Sequence, residues 1–252
     1  MLVLRELFTH ILNANLTIKP SKCVIGYNSL EFVGFIIGDG LQPVLDKVKC
    51  INECPVPKTK KQVRSFLGMI GFYSKFIPNC AAISAPLSDL TKKGLPNKVK
   101  WEPVHQTAFD TLKSILSCKP ILRLPDINLP FILQTDASDV GLGAVLVQEE
   151  SGIRQPVAFA SRKLNVAERN YSVIEKECLA IVWAIDKFHR YLYGIEFFLE
   201  TDHKPLTYLN KSKTLNSRLM RWALRLQPYR FNLVAIKGKS NVIADYLSRV
   251  AK

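Results

Sequence analysis

Acidic residues are scarce in this sequence: 21 Asp and Glu stand against 35 Lys and Arg, giving a formal charge of +14 and a pI near 9.6. That imbalance disfavours cationic partners and attracts polyanions through counterion release. Nucleic acid is the foremost candidate, with an anionic membrane surface or a merely solvated basic face as alternatives. No Cys-x-x-Cys pair occurs among Cys23, Cys50, Cys54, Cys80, Cys118 and Cys178, and no His lies near them to complete a zinc site. They are expected as reduced, mostly buried thiols. No apolar run approaches the length that spans a bilayer, and Arg5 interrupts the start before a secretory core forms. A soluble, intracellular protein is expected, in cytoplasm or nucleus, with the short basic run Pro57–Lys61 as a candidate nuclear signal. Internal repeats and low-complexity segments are missing as well. Apolar material is ample: 48% hydrophobic and 10% aromatic content over 252 residues suffices for one large or two medium cores.

The hydrophobic pattern changes character along the chain. Leu4, Leu7, Phe8, Ile11 and Leu12 follow helical spacing, and the strand-like stretch Leu30–Ile37 closes at Gly38-Asp39-Gly40, which predicts a helix and then a hairpin. From Asp46 to about Leu116 the spacing is helical again, through Val48, Ile51, Val63, Phe66, Ile70, Ile83, Leu87, Phe109 and Leu112. Prolines at 55, 57, 78, 86, 96 and 103 cut it into four expected short helices. Beyond Pro120 three β-type runs (Phe131–Asp136, Gly143–Gln148, Pro156–Ala160) read as an antiparallel meander. A long helix from about Glu168 to Tyr191 follows. Then come a strand at Glu196–Thr201, a helix at about Asn216–Gln227, a strand at Arg230–Ile236 and a last helix from about Asn241. The order βββαβαβα sets an α/β second half against an α+β first half, with a boundary between Lys119 and Asp126.

Four acids stand at chosen places in that order. Asp136 ends the first strand and Asp202 the fourth, Glu177 lies on the long helix, and Asp245 falls in the first turns of the last helix. Singly, each has an ordinary role as a turn, cap or solvated acid. If the two strands lie side by side, however, all four converge on one end of the sheet, where mutual repulsion calls for compensating charge. Hard oxygen ligands of this kind suit Mg²⁺ or Mn²⁺, and two such ions activate a water and stabilise the leaving oxygen of a phosphodiester. Glu175 rivals Glu177, because the helical stripe Ile174, Cys178, Ile181 and Ile185 lies nearly as close to one as to the other.

Thr135-Asp136-Ala137-Ser138, Tyr171–Ala180, Thr201-Asp202-His203-Lys204-Pro205-Leu206 and Asn241–Arg249 resemble the RNase H signatures of gypsy-type LTR retrotransposon Pol proteins. The resemblance implies an RNase H-like mixed five-stranded sheet with flanking helices over residues 123–252. It also implies hydrolysis of the RNA strand of RNA–DNA hybrids, and two Mg²⁺ or Mn²⁺ ions held by Asp136, Glu177, Asp202 and Asp245 as catalytic and metal-binding residues. Alignment through Glu177-Cys-Leu-Ala180 selects Glu177 over Glu175. In the first half, Ile18–Cys23 and Leu30–Ile37 resemble the end of the same family's polymerase palm with its primer-gripping hairpin (residues 1–45). Pro55–Lys61, Arg64–Gly68, Tyr73–Pro78, Ala85-Pro-Leu87 and Trp101 resemble the helical thumb and connection (46–122). The chain contains no Asp-Asp dipeptide, so the resemblance implies no polymerase activity from this chain alone. The histidine that many RNases H carry before the last acidic helix is missing from Ile236–Asn241.

Arg218, Arg221 and Arg225 fall on one helical face near Trp222 and Tyr229, with Lys237 and Lys239 following. That stripe is read equally as a track for the hybrid backbone or as a solvated basic face. Gln134, Ser138 and Ser161 are candidates for reading 2′-hydroxyls. The expected partner is an RNA–DNA hybrid, with a separate reverse-transcriptase subunit as a further one, and no membrane or small-molecule cofactor. The competing function is a catalytically silent remnant that binds nucleic acid or a partner subunit through its basic surface.

Overall fold

The computed structural model describes residues 2–201 and 217–236. Helix α1 (Leu2–Asn13) buries none of its residues. Strands β1 (Leu30–Phe32), β2 (Phe35–Ile37) and β3 (Leu41–Pro43) form an antiparallel meander. The single strand expected over Leu30–Ile37 is thus two strands, because Val33 and Gly34 turn the chain with φ of 47° and 78°. Phe35, the first residue after that turn, stacks on Phe72 with centroids 5.0 Å apart, and the Tyr73 hydroxyl donates to the Gly34 carbonyl at 3.2 Å.

The helical segment comprises α2 (Leu45–Asn52), α3 (Lys60–Phe72), α4 (Cys80–Ile83), α5 (Ala85–Asp89) and α6 (Pro103–Ser117). Five α-helices replace the four expected, because Ser84 closes α4 and Pro86 restarts the chain in the first turn of α5. Thr59 and Gln62 close a reciprocal capping box on α3, and the neighbouring Lys60 ammonium donates to the carbonyls of Lys92 and Leu95. Phe66, Ile70, Phe76, Leu87, Phe109, Leu112 and Leu116 face inward to make one apolar cluster.

The second cluster is built on a mixed sheet of order β6-β5-β4-β7-β8, the five-stranded arrangement that the sequence pattern and resemblance led us to expect. Strands β4 (Phe131–Ala137), β5 (Gly141–Glu150) and β6 (Ile153–Lys163) run antiparallel, whereas β7 (Glu196–Thr201) joins β4 in parallel and β8 (Arg230–Ala235) joins β7 in parallel. Alternation gives each face its own task. Phe131, Leu133, Leu142, Ala144 and Leu146 pack under α8 (Val173–Lys187), against its Cys178, Ile181, Val182 and Ile185. Ile132, Val145 and Val147 occupy the other face with Phe159, which also touches the first cluster. Each fully buried Leu or Phe here contributes about 1.5–3 kcal/mol.

The helix expected from Glu168 to Tyr191 is three helices: α7 (Val166–Arg169), α8 and α9 (His189–Leu192). Two successive capping boxes, Asn165 with Glu168 and Ser172 with Glu175, force separate starts. Helix α10 (Ser217–Leu226) lies on α8 through Trp222 and Leu226. The expectation of mostly buried thiols fails: Cys23, Cys50 and Cys118 are exposed, Cys54 and Cys80 are partly covered, and only Cys178 is buried. On α2 the reason is plain, since Val48 and Ile51 take the inner face and leave Cys50 outside.

Candidate active site

Asp136 stands one residue from the end of β4 and is 4% exposed; Glu177, on α8, is 2% exposed. Burial of both carboxylates is unusual for acids and calls for a local reason. Helix α8 lies across β4, and a contact of Lys176 shows which end of the helix lies where. Its ammonium donates to Asp139 Oδ1 at 2.7 Å, in the β4–β5 turn three residues beyond Asp136. The early turns of α8 therefore sit at the same sheet end as Asp136, and Glu177 is brought there with them. Asp202 and Asp245 lie outside the described residues. Among the described residues, no group of three or more His, Cys, Asp or Glu is positioned to hold a metal.

Glu175 has other work. Its carboxylate accepts from the Ser172 amide at 2.9 Å, from the Ser172 hydroxyl at 3.1 Å and from Arg218 at 2.6 Å. Burial raises its pKa, but the Ser172 hydrogen bonds and the Arg218 charge outweigh that and hold it below the usual range. Lys176 bonds Asp139, and Arg218 bonds Glu175. Asp136 and Glu177 offer hard oxygen donors, the chemistry that suits a divalent ion such as Mg²⁺ or Mn²⁺.

A step further back along β4, on the same face as Asp136, Gln134 donates to Glu200 Oε2 at 2.7 Å, and Arg154 grips Glu200 with bonds of 2.9 and 3.0 Å. Gln134 is 5% exposed, so it ties β4 to β7 rather than presenting its amide to a 2′-hydroxyl. The other two candidates for that task are also occupied. Ser138 Oγ accepts from Val140 and Gly141 amides in the turn, and Ser161 Oγ accepts from the Ala81 amide at 2.9 Å. The sequence reading missed both Glu200 and Lys176. The only available signal was a charged residue placed where the surrounding pattern is apolar.

The basic stripe is largely structural in its contacts. Arg218 lies over the Tyr171 ring at 3.9 Å besides its bond to Glu175, and Arg225 pairs with Asp186 of α8. Arg221 is bonded to the Ser217 carbonyl of its own helix. Lys237 and Lys239 lie outside the described residues.

A mixed five-stranded sheet of this order, with a buried acid near the end of the central strand and a second on the crossing helix, defines an RNase H-like domain. Residues 126–229 match the family of the RNase H-like domain found in reverse transcriptase. Over nearly all its length the chain is similar to retrovirus-related Pol polyproteins of transposons. It is 44% identical to the one from transposon 297 of Drosophila melanogaster, over 96% of this chain and 23% of that protein. It is 38% identical to the one from transposon gypsy of the same species, over 95% and 24%. The chain therefore spans about a quarter of the length of these relatives. The solved structure of a foamy viral protease-reverse transcriptase in complex with RNA/DNA hybrid shares the fold, with a TM-score of 0.75 at 23% identity over 94% of this chain and 33% of that one.

Proposed function

We propose that this chain hydrolyses the RNA strand of RNA–DNA hybrids, with Asp136, Glu177, Asp202 and Asp245 holding two Mg²⁺ or Mn²⁺ ions. The observation that carries the reading is the placement of two buried carboxylates from different elements, Asp136 and Glu177, at one end of the sheet. Ions bound there would supply an activated water and stabilise the departing oxygen. The protein's own part is positional. β4 is paired on both sides and holds Asp136 rigidly, the Ser172–Glu175 cap fixes where α8 starts, and the Lys176–Asp139 bond joins the first turns of α8 to the β4–β5 turn. The charge of +14 favours a polyanionic substrate, and the foamy viral neighbour is a complex with RNA/DNA hybrid.

The test is cleavage of an end-labelled hybrid by the purified chain with Mg²⁺ or Mn²⁺, alongside Asp136→Asn, Glu177→Gln and Glu175→Gln, with single-stranded and duplex RNA as controls. Metal-dependent cutting of the RNA strand in the hybrid alone is expected. It should fall to background in the first two variants and persist in the third. An intact hybrid that is nonetheless bound would replace this reading with the silent, nucleic-acid-binding remnant.

A further inference from the structure

The face of the sheet turned away from α8 is apolar at Ile132, Val145 and Val147, yet it carries one buried polar row. Gln134 of β4 and Glu200 of β7 stand opposite each other in the parallel pairing, each 5% exposed. The Gln134 amide donates to Glu200 Oε2 at 2.7 Å. Arg154 completes the row with bonds of 2.9 and 3.0 Å, so both oxygens of the buried carboxylate accept.

Arg154 reaches this place from a distance. It lies on β6, and β5 and β4 stand between β6 and β7. Three strand spacings amount to about 14 Å, more than one side chain spans, so the tip of the β5–β6 hairpin arches over the sheet. A register shift between Leu146 and Val147 supplies the bend, and β5 pairs with β4 no further than Gln148. The cleft beneath the arch has walls from the tip, at Glu149, Ser151 and Gly152, and from the sheet, at Ile132, Phe198 and Val234.

Packing alone gives no reason to keep a charge here. A buried ion pair adds little stability over apolar residues of similar size, but it penalises any arrangement that parts it. The alternation of β7 fixes which side chains face α8, yet it tolerates a slip of two residues along β4. Such a slip would set Glu200 beside Ile132, away from its amide partner, or beside Asp136, against a like charge. The polar row therefore selects one register. Gln134 precedes Asp136 by two residues, and Glu200 precedes Asp202 by two.

Building on the nuclease reading above, we propose that Glu200 is a positioning residue: held by Gln134 and Arg154, it locks β7 against β4 in the register that brings Asp136 and Asp202 to the same ions. It acts through the two strands, without contact to ion or substrate.

The test measures Mn²⁺ binding to the full chain without nucleic acid, from the electron paramagnetic resonance signal of free Mn²⁺, beside hybrid cleavage and thermal melts. Gln134→Leu combined with Glu200→Leu replaces the row by apolar groups and should melt close to the unsubstituted protein. Its Mn²⁺ affinity is expected to fall about tenfold, with kcat falling likewise and KM for the hybrid little changed. Gln134→Leu alone, which leaves Glu200 with Arg154, should lose affinity in the same direction. Glu200→Gln keeps a carbonyl acceptor for both partners and should retain most of it. Unchanged affinity in the leucine variants, or a loss in Glu200→Gln as large as in the leucine pair, would overturn the assignment. Amide hydrogen exchange at Phe197–Thr201 judges the lock without any ion: faster exchange is expected in the leucine pair, and unchanged exchange counts against the lock. An unsubstituted protein that neither binds Mn²⁺ nor cuts the hybrid counts against the nuclease reading alone.

Discussion

Cys178 adjoins Glu177 in the chain, and its chemistry reports how dry that part of α8 is. Burial, followed by the charges of Glu177 and Glu175, pushes its thiol up to about 12. A thiol reagent at mildly alkaline pH should label Cys23, Cys50 and Cys118 readily and Cys178 only after unfolding; labelling of Cys178 at the rate of the exposed three would contradict the packing. Glu168 gives a second test at this scale. Hydrogen bonds from Arg162 lead the causes that hold its carboxyl below the usual range, against the opposing effect of burial. A lowered folded-state pKa means its stabilising contribution is complete above the unfolded value of about 4.3 and is lost as pH falls through the lower one. Glu168→Gln should therefore melt below the unsubstituted protein at pH 7, and the gap should narrow in melts at progressively lower pH. Both glutamates were open to assignment from sequence, since Asn165-x-x-Glu168 and Ser172-x-x-Glu175 spell capping boxes. Helical geometry alone left Glu175 and Glu177 nearly even, and the cap signature assigns Glu175 to the backbone.

At the scale of elements, α10 depends on α8. Trp222 is buried between them, and Arg218 and Arg225 reach across to Glu175 and Asp186. Trp222→Ala should cost about 3 kcal/mol in denaturant melts, chiefly through the cavity it leaves, whereas Arg221→Ala, exposed on the same helix, should cost little. Thr59→Ala should cost about 1 kcal/mol by removing the cap of α3. The strands of the main sheet were legible because β4 opens on Phe131-Ile-Leu133 and β5 carries a continuous apolar run, each bounded by turn residues. Three features were not. The Val33-Gly34 reversal lies inside an apolar run, β3 is only three residues long, and parallel pairing of β7 with β4 depends on contacts that no local pattern encodes. The same limit applies at the candidate site: the positions of Asp136 and Glu177 in their elements were legible, but not the Lys176–Asp139 bond that orients the helix.

For the whole molecule, the seam between the two apolar clusters is the feature to perturb. Phe159 packs against the helical cluster and against Ile132, Val145 and Val147 on the outer face of the sheet, Ser161 accepts from Ala81, the Arg123 amide donates to the Pro156 carbonyl, and Leu41 pairs with Leu122. Phe159→Ala should uncouple the halves, and calorimetry should then resolve two transitions where the unsubstituted chain shows one. The parallel pairing of β4 with β7 also governs the order of assembly during synthesis. Gln134 must wait for Glu200, 66 residues later, so a ribosome adding about 5–20 residues per second leaves one edge of the central strand open for several seconds. In that interval the Phe131–Leu133 backbone, already hairpinned to β5 on its other side, is a template for any neighbouring strand, so the nascent chain is most prone to aggregate just before β7 emerges.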